Sequence, residues 1–394
     1  MCGSHAAAQA ARTARVTRNQ KVGSARSRRP RSRPSPRLLA LLNNALEASI
    51  AAELLSAAAA AALPFELRLA GADFADTAAG EGDGSGAAAA AAAAAEALLV
   101  HGHVRVDAAL LARFPRLRCV SNHGVGVDHI DAAACSAARV RVYNTPDAVT
   151  GATADCAFAL LLAAARRVVE GDAISRAPAT VHFSGTWFGA EVHGQTLGVV
   201  GMGRIGSAVA RRARGFDMRV LYHNRRRVAP EAEAALGAAA GLCRFCPELD
   251  ELLGEADFVV VTAPATPETR HLIGAPQLAR MRRSAFLVNV SRGSLVDQDA
   301  LAAALGSGAI AGAALDVTEP EPLPRNHALL RSPNLTLTPH VGTATRKTRV
   351  TMAQLALANL AAGLGLPPPA GSPATAIAAL NEAEVAAAEA ARAR

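Results

Sequence analysis

The 394-residue sequence lacks several features that would assign it to a class at once. No run reaches the roughly 18 strongly apolar residues that a membrane-spanning helix needs, and the long apolar stretches are mostly alanine. The six cysteines are scattered, which argues against a secreted disulfide framework and favours a reducing compartment. Cys243 and Cys246 form a single CxxC without a second pair or suitably spaced histidines, so we expect packing residues, with a redox pair as the alternative, and no metal site. These absences favour a soluble α/β protein.

Acidic residues are missing from positions 1–37, which carry nine arginines and one lysine. Without this tail the formal net charge of +8 becomes about −2, so the body has no electrostatic footprint for nucleic acid; only the tail could contact phosphates. The tail has few large apolar residues, which predicts disorder. Its composition also suits an organellar transit peptide, so a plastid or mitochondrial location is the alternative to the cytoplasm.

From about Arg37 strands and helices alternate, which predicts parallel sheet covered by helices on both faces. A helix is expected over Thr150–Val169, a loop running into an alanine-rich helix over Gly80–Ala95, and a low-complexity tail or frayed helix over 366–394. The expected strands are Pro64–Ala70, Ala97–Val100, Leu117–Ser121, Val140–Asn144, Leu197–Val200, Val220–Tyr222, Phe258–Thr262, Ala285–Asn289, Ala311–Asp316 and Leu335–Leu337.

A GxGxxG motif lies between one of these strands and a predicted helix. Its first glycine would make a tight turn, its second would let the backbone approach a pyrophosphate, and its third would let helix and strand pack closely. In this strand–turn–helix context the motif predicts a dinucleotide site. The residues assigned to it are Gly201, Gly203, Arg204, Ile205 and Gly206.

The end of the next strand indicates which dinucleotide is bound. NAD sites usually carry an acid about 20 residues past the glycines, where it accepts from the ribose 2′-hydroxyl. Here Asn224 occupies that region, and Arg225, Arg226 and Arg227 follow. A carboxylate would repel a 2′-phosphate, whereas guanidinium groups bind one. We therefore expect NADP(H) to be preferred over NAD(H), which remains possible; the alternative is a solvated basic loop.

Three downstream residues have the chemistries that reduction of a 2-oxo acid requires. Arg292 could hold a substrate carboxylate with two hydrogen bonds. Histidine is the side-chain type most suited to donating a proton near neutral pH, which makes His340 the candidate donor, and Glu321 could orient it and favour its protonated form. Each residue alone has an ordinary structural explanation, so only the combination suggests catalysis.

The surrounding motifs resemble the D-isomer-specific 2-hydroxyacid dehydrogenase family over roughly Ala97 to Leu364. The matching stretches include SNHGVGVDHID, LGVVGMGRIG, VNVSRG, LDVTEPEPLP and TPHVGTAT, and the 29-residue Arg-to-Glu and 19-residue Glu-to-His intervals suit the family. The basic loop and GTWFGAEVHGQTLGVVGMGRIG look most like its glyoxylate/hydroxypyruvate reductase branch, including 2-ketogluconate reductases.

The resemblance implies an α/β fold of two Rossmann-like domains. A flavodoxin-like substrate domain at 38–147 plus 335–365 would be interrupted by an NAD(P)-binding Rossmann domain at 148–334. It also implies a homodimer formed through the cofactor domains, a cleft that closes by hinge motion, and a small 2-oxo or 2-hydroxy acid as the only other partner.

The resemblance also implies residue roles. Arg292 would bind substrate, Glu321 would pair with His340, and His340 would be the general acid in reduction. The stretch Asn122–Gly126, including Val125, would form a substrate loop whose backbone amides meet the carboxylate. The residues expected beside the nicotinamide or its neighbours are Thr262, Ala263, Asn289, Ser291 and Asp316.

Two other functions remain compatible with these motifs. A phosphoglycerate dehydrogenase would more often carry an acid at the second strand and a regulatory domain, and neither is seen. A non-catalytic relative that senses dinucleotides and binds transcriptional partners could retain all three catalytic residues. Formate dehydrogenase is disfavoured because it pairs its histidine with glutamine.

Overall fold

A computed structural model of the protein describes residues 38–43, 65–70, 74, 87–102, 104–178, 187–369 and 378–393. The predicted basic tail at 1–37 and the glycine-rich segment at 80–86 lie outside these residues. Among the described residues, no helix has the length and apolar character needed to span a bilayer. The described residues from Leu38 onward form one compact unit that contains two separate parallel sheets.

The smaller sheet has five parallel strands in the order β2-β1-β3-β4-β5, which is the flavodoxin-like order. Its strands are β1 (Leu38–Asn43), β2 (Phe65–Ala70), β3 (Ala95–Val100), β4 (Cys119–Asn122) and β5 (Arg141–Tyr143). Helices α1 (Ala87–Ala94), α2 (Ala108–Ala112) and α3 (Ala132–Ala137) lie between them in the chain. Asp107 and Asp131 cap α2 and α3 by accepting from backbone N–H groups of the first turn.

The larger sheet has seven parallel strands in the order β12-β11-β10-β9-β6-β7-β8. Numbered from β6, its first six strands have the 3-2-1-4-5-6 order of the dinucleotide-binding fold. The strands are β6 (Thr196–Val200), β7 (Arg219–His223), β8 (Cys243–Phe245), β9 (Phe258–Val261), β10 (Phe286–Asn289), β11 (Gly312–Leu315) and β12 (Leu335–Leu337). The helices before and among them are α4 (Thr150–Ala165), α5 (Val168–Arg176), α6 (Arg204–Ala213), α7 (Pro230–Ala235), α8 (Leu249–Glu255), α9 (Ala275–Arg280) and α10 (Gln298–Ser307).

The chain passes between the two sheets twice. It leaves the smaller sheet after β5, where α4 packs against the larger sheet, and it returns after β12 through α11 (Arg346–Gly363), which packs on β3 and β4. Leu335–Leu337, at the start of the predicted segment 335–365, pairs with β11 in the larger sheet. The second passage of the chain between the sheets comes after this strand.

The structure departs from the local predictions in two respects. The helix expected over Thr150–Val169 ends at Ala165, because Arg167 adopts a left-handed conformation with φ of +54° before α5 begins. The short strands β1 and β8 were not predicted. The segment expected to be a frayed helix or a tail contains α12 (Glu382–Ala393), and Asn381 before it binds the backbone of Val140 and Val142 at the edge of β5.

The apolar core of the larger sheet has two sides because residues alternate along each buried strand. Val199, Val220 and Val260 pack on one side, whereas Val200, Leu221 and Val261 pack on the other. Cys243 belongs to the first cluster and Cys246 to the second, and both thiols are free. Burial raises the pKa of each to about 11, so the CxxC consists of two packing residues.

Candidate active site

A cleft of about 690 Å³ lies where the loops after the strands of both sheets meet. Such crevices at the carboxyl ends of parallel strands are the usual ligand sites of α/β folds. The predicted site residues that line it are Asn122, Val125, Gly126, Gly203, Arg204, Ile205, Thr262, Ala263, Ser291, Arg292, Asp316, Glu321 and His340. The structure therefore brings all three candidate catalytic residues into one cleft. The predicted residues that do not line it are Gly201, Gly206, Asn224, Arg225, Arg226 and Asn289.

His340 and Glu321 form a hydrogen-bonded pair within this cleft. The His340 Nδ1 and Glu321 Oε2 atoms are 2.9 Å apart, and Glu321 Oε1 accepts from the backbone N–H of Thr318 at 3.0 Å. A carboxylate can only accept, so an ionised Glu321 requires the hydrogen to be on Nδ1. The pair thereby determines the tautomer and directs the exchangeable proton to Nε2.

Asp316 holds the turn that carries His340. Its carboxylate is buried and accepts from the backbone N–H groups of Val341 and Gly342 at 2.8 and 2.7 Å, and from the Thr338 hydroxyl at 2.6 Å. Its carbonyl oxygen also accepts from the His340 N–H at 2.8 Å. Asp316 thus positions the histidine, a role that the sequence motif did not reveal.

Arg292 follows β10 in a turn that Asn289 braces. The buried Asn289 side chain accepts from the Ser291 N–H at 3.0 Å and donates to the Arg292 carbonyl at 2.8 Å. The guanidinium then crosses the cleft, and its Nε donates to Asp128 Oδ1 at 3.0 Å. Burial alone would raise the pKa of Asp128, but the positive charge of Arg292 and hydrogen bonds hold it below its usual range.

Asp128 is a site residue that sequence reasoning missed. It lies within the quoted GVGVDHID stretch, but only the fold brings it to an arginine 164 positions away. Because Asp128 follows β4 of the smaller sheet and Arg292 follows β10 of the larger one, their ion pair links the two sides of the cleft.

The predicted substrate loop is organised by two asparagines. The Asn122 Nδ2 donates to the carbonyls of Gly124 and Gly126 at 3.1 and 2.8 Å, and Asn144 Nδ2 donates to the carbonyl of Val125 at 2.8 Å. Within the described part of the chain, the N–H groups of Val125 and Gly126 donate to no protein acceptor. This pattern occupies the loop carbonyls and leaves amides available for an anion.

A pair of histidines forms one wall of the cleft and was also missed. The Nδ1 atoms of His101 and His123 are 2.9 Å apart, and His123 Nε2 is 3.3 Å from the carbonyl oxygen of Arg349. Burial, reinforced by the neighbouring His101, lowers the pKa of His123 to about 3. His123 is therefore neutral at physiological pH, and its Nε2 must carry the hydrogen because a carbonyl only accepts.

The glycine loop has the shape that a dinucleotide requires. Gly201 has φ of +102°, and a Cβ there would lie 2.5 Å from the backbone nitrogen of Ala263. A Cβ on Gly206 would lie 2.3 Å from the Gly201 carbonyl oxygen, so helix and loop touch closely. A Cβ on Gly203 would meet nothing within 4 Å, and α6 begins at the next residue. The loop therefore offers an open backbone surface at a helix N-terminus, which fits a pyrophosphate.

The polar residues of the loop after β7 differ in their contacts. Asn224 Oδ1 accepts from the Met202 N–H of the glycine loop at 2.7 Å. Arg227 is bound by Glu233, with two contacts of 2.7 Å. Arg225 and Arg226 are exposed, and neither forms an ion pair with any residue that the structure describes. Two of the three arginines are thus open to a ligand.

Comparisons with known proteins agree with this geometry. Residues 158–342 match the family model described as the D-isomer specific 2-hydroxyacid dehydrogenase NAD-binding domain. The chain is 47% identical over 262 residues to glyoxylate/hydroxypyruvate reductase B of Escherichia fergusonii, which covers 66% of this chain and 79% of that protein. It is 46% identical over 272 residues to glyoxylate reductase of Thermococcus gammatolerans, covering 68% and 79%.

Among solved structures, one of an NADPH-dependent glyoxylate/hydroxypyruvate reductase from Sinorhizobium meliloti, in complex with NADP and malonate, is similar. It superposes with a TM-score of 0.71 at 31% identity, covering 86% of this chain and all of that one.

The chain is an NAD(P)-dependent oxidoreductase. This class agrees with the order of the two parallel sheets, with the glycine loop at the switch point and with the cleft that contains the candidate catalytic residues. More specifically, the chain belongs to the D-isomer specific 2-hydroxyacid dehydrogenase family, in its glyoxylate reductase branch.

Proposed function

We propose that the protein reduces a small 2-oxo acid to the D-2-hydroxy acid with NADPH. The observation that carries this proposal is the convergence of the His340–Glu321 pair and the Arg292 guanidinium in one cleft beside the glycine loop. Glyoxylate and hydroxypyruvate are the first candidate substrates, since the similar reductases are named for them; 2-ketogluconate is a third.

Each residue has one role in the proposed reaction. Arg292 and the amides of Val125 and Gly126 bind the substrate carboxylate and so orient the carbonyl. When bound, the reduced nicotinamide supplies the hydride to the carbonyl carbon. His340 then donates the Nε2 proton to the carbonyl oxygen, which completes the hydroxyl group, and Glu321 stabilises the imidazolium before transfer. The reverse reaction uses neutral His340 as the base.

The NADPH preference rests on the basic loop. No carboxylate stands at the end of β7 to repel a 2′-phosphate, because Asn224 occupies the position and is engaged with Met202. Arg225 and Arg226 are exposed beside it and carry the charge that a phosphate monoester needs.

The experiment is a panel of glyoxylate, hydroxypyruvate and 2-ketogluconate, each assayed with NADPH and NADH. We expect kcat/KM to favour NADPH in the parent, and the Arg225→Ala and Arg226→Ala variants to lose that advantage. Equal values for both cofactors in the parent would refute the preference. If the protein binds dinucleotide tightly yet reduces none of the acids, the sensing function takes precedence.

We also propose that the two sheets belong to separate domains that close over the substrate, and that the protein is a homodimer through the cofactor domain. An exposed apolar surface supports the dimer: Val168, Val169 and Phe188 are 56%, 56% and 75% exposed, and Arg167 stacks on Trp187 beside them. Light scattering should give twice the chain mass, and Phe188→Glu should give the monomer. A monomeric parent would refute the dimer.

A further inference from the structure

The buried carboxylate of Glu233 has no part in the proposed chemistry, yet it is engaged more fully than most acids of the protein. Its Oε1 accepts from Arg227 Nε at 2.7 Å and from the Tyr222 hydroxyl, and its Oε2 accepts from Arg227 Nη2 at 2.7 Å. The Glu233 side chain is 7% exposed, whereas that of Arg227 is 65% exposed. The hydrogen bonds from Arg227 and Tyr222 outweigh burial and lower the pKa of Glu233, so it stays ionised at neutral pH.

These contacts hold one end of the basic loop. Tyr222 is fully buried in β7, and its hydroxyl oxygen accepts from the Val228 N–H at 3.3 Å while donating to Glu233 on α7. The other end is held by Asn224, which accepts from the Met202 N–H. The backbone between 224 and 228 is therefore attached to β7, α7 and the glycine loop.

The same contacts set the charge of the loop. Three consecutive guanidinium groups repel one another, but the ion pair with Glu233 compensates Arg227. Two positive charges remain, on Arg225 and Arg226, and a phosphate monoester carries about −1.5 to −2 at pH 7. The charge left on the loop thus matches a 2′-phosphate.

We propose that Tyr222, Glu233 and Arg227 form a positioning network that holds Arg225 and Arg226 where the 2′-phosphate of NADP binds. Arg227 itself is a structural residue and not a phosphate ligand. This inference rests on the proposed NADPH preference and deepens it, because it assigns cofactor selectivity to residues on β7 and α7 outside the loop's exposed positions.

The test measures binding of adenosine 2′,5′-bisphosphate and of 5′-AMP by calorimetry, together with KM for NADPH and NADH. The Glu233→Gln variant retains the side-chain volume but loses the charge that holds Arg227. We expect it to bind the bisphosphate about tenfold more weakly, the scale of one charge-assisted hydrogen bond. Its affinity for 5′-AMP and its KM for NADH should stay within about twofold, and kcat should not change.

Two further variants keep the test decisive. If Glu233→Gln does not fold, Tyr222→Phe removes only the hydroxyl and should weaken bisphosphate binding about threefold with the same selectivity. The matched control is Glu251→Gln, which breaks an exposed arginine–glutamate pair of the same domain with Arg244. The control should bind both nucleotides as the parent does.

The outcomes separate this inference from the proposed function. If Arg225→Ala and Arg226→Ala abolish NADPH preference while Glu233→Gln and Tyr222→Phe leave it intact, the positioning network is refuted and the proposed preference stands. If none of the four changes selectivity, the assignment of the preference to the basic loop fails, and the positioning network fails with it. If Glu233→Gln and Tyr222→Phe weaken the binding of the bisphosphate and of 5′-AMP equally, these residues have a purely structural role and the inference is overturned.

Discussion

A single methyl group at Gly126 should disable substrate binding while leaving the fold intact. A Cβ at this position would lie 1.8 Å from Arg292 Nη2, 2.6 Å from its Cζ and 3.0 Å from Asp128 Oδ1. Since ordinary contacts begin at about 3.4 Å, the guanidinium would have to move by about 1.6 Å. The clashing atoms are at the end of a flexible side chain, so we expect the Arg292 side chain to move and the backbone to keep its position.

That displacement falls on the group proposed to hold the substrate carboxylate. A misplacement of about 1 Å at a reacting centre costs roughly 10²-fold in rate, and we expect a loss of that size in kcat/KM for glyoxylate or hydroxypyruvate, mainly through KM. Dinucleotide affinity should not change, because the glycine loop is untouched. Steady-state kinetics, dinucleotide titration and a thermal melt together measure the effect.

The matched control is Gly151→Ala, since a Cβ there would meet nothing within 4 Å. The double variant Gly126→Ala with Arg292→Ala provides a second check, because it should be no worse than Arg292→Ala alone. A folded Gly126→Ala enzyme with the parent's KM for the 2-oxo acid would refute the proposed place of the carboxylate. Additive losses in the double variant would show that Gly126 acts independently of Arg292.

Three further predictions follow from the same cleft. His340→Ala should lower kcat by about 10²–10⁴-fold with unchanged dinucleotide affinity, and a fully active variant would contradict its role as the proton donor. In Glu321→Gln the rate of reduction should begin to decline at a lower pH than in the parent, because the variant lacks the charge that stabilises the imidazolium. A pH–rate profile coinciding with the parent's would exclude this role. Acidification should destabilise the protein through His123, whose pKa falls from 6.5 to about 3 on burial. Between these two pH values the unfolded chain binds a proton at this histidine and the folded state does not. Stability is therefore lost as the pH falls below 6.5. From pH 7 to pH 5 this amounts to about 2 kcal/mol, measurable as the excess loss of unfolding free energy in urea relative to His123→Gln, and parallel pH dependences of the two proteins would contradict it.

Sequence patterns alone were sufficient for the features that depend on neighbouring residues. The seven strands of the larger sheet, except β8, follow from short apolar runs, and the spacing of Gly201, Gly203 and Gly206 predicts a turn into a helix. These features depend on chain geometry within a few residues, so one segment of sequence contains what determines them. The short strand β8 and the conformational break at Arg167 show the limit, because neither has a strong local signal.

The side-chain contacts that organise the cleft instead join segments that are distant in the sequence. The pairing of Asp128 with Arg292, the buried environment of His123 and the engagement of Asp316 by the His340 turn each join residues that are far apart in the chain. Likewise, Asn381 binds the edge of β5 from a segment whose composition predicts only a frayed helix or a tail. No local pattern encodes such contacts, because a hydrogen bond between side chains is determined by the packing of two sheets and by the path that returns the chain between them.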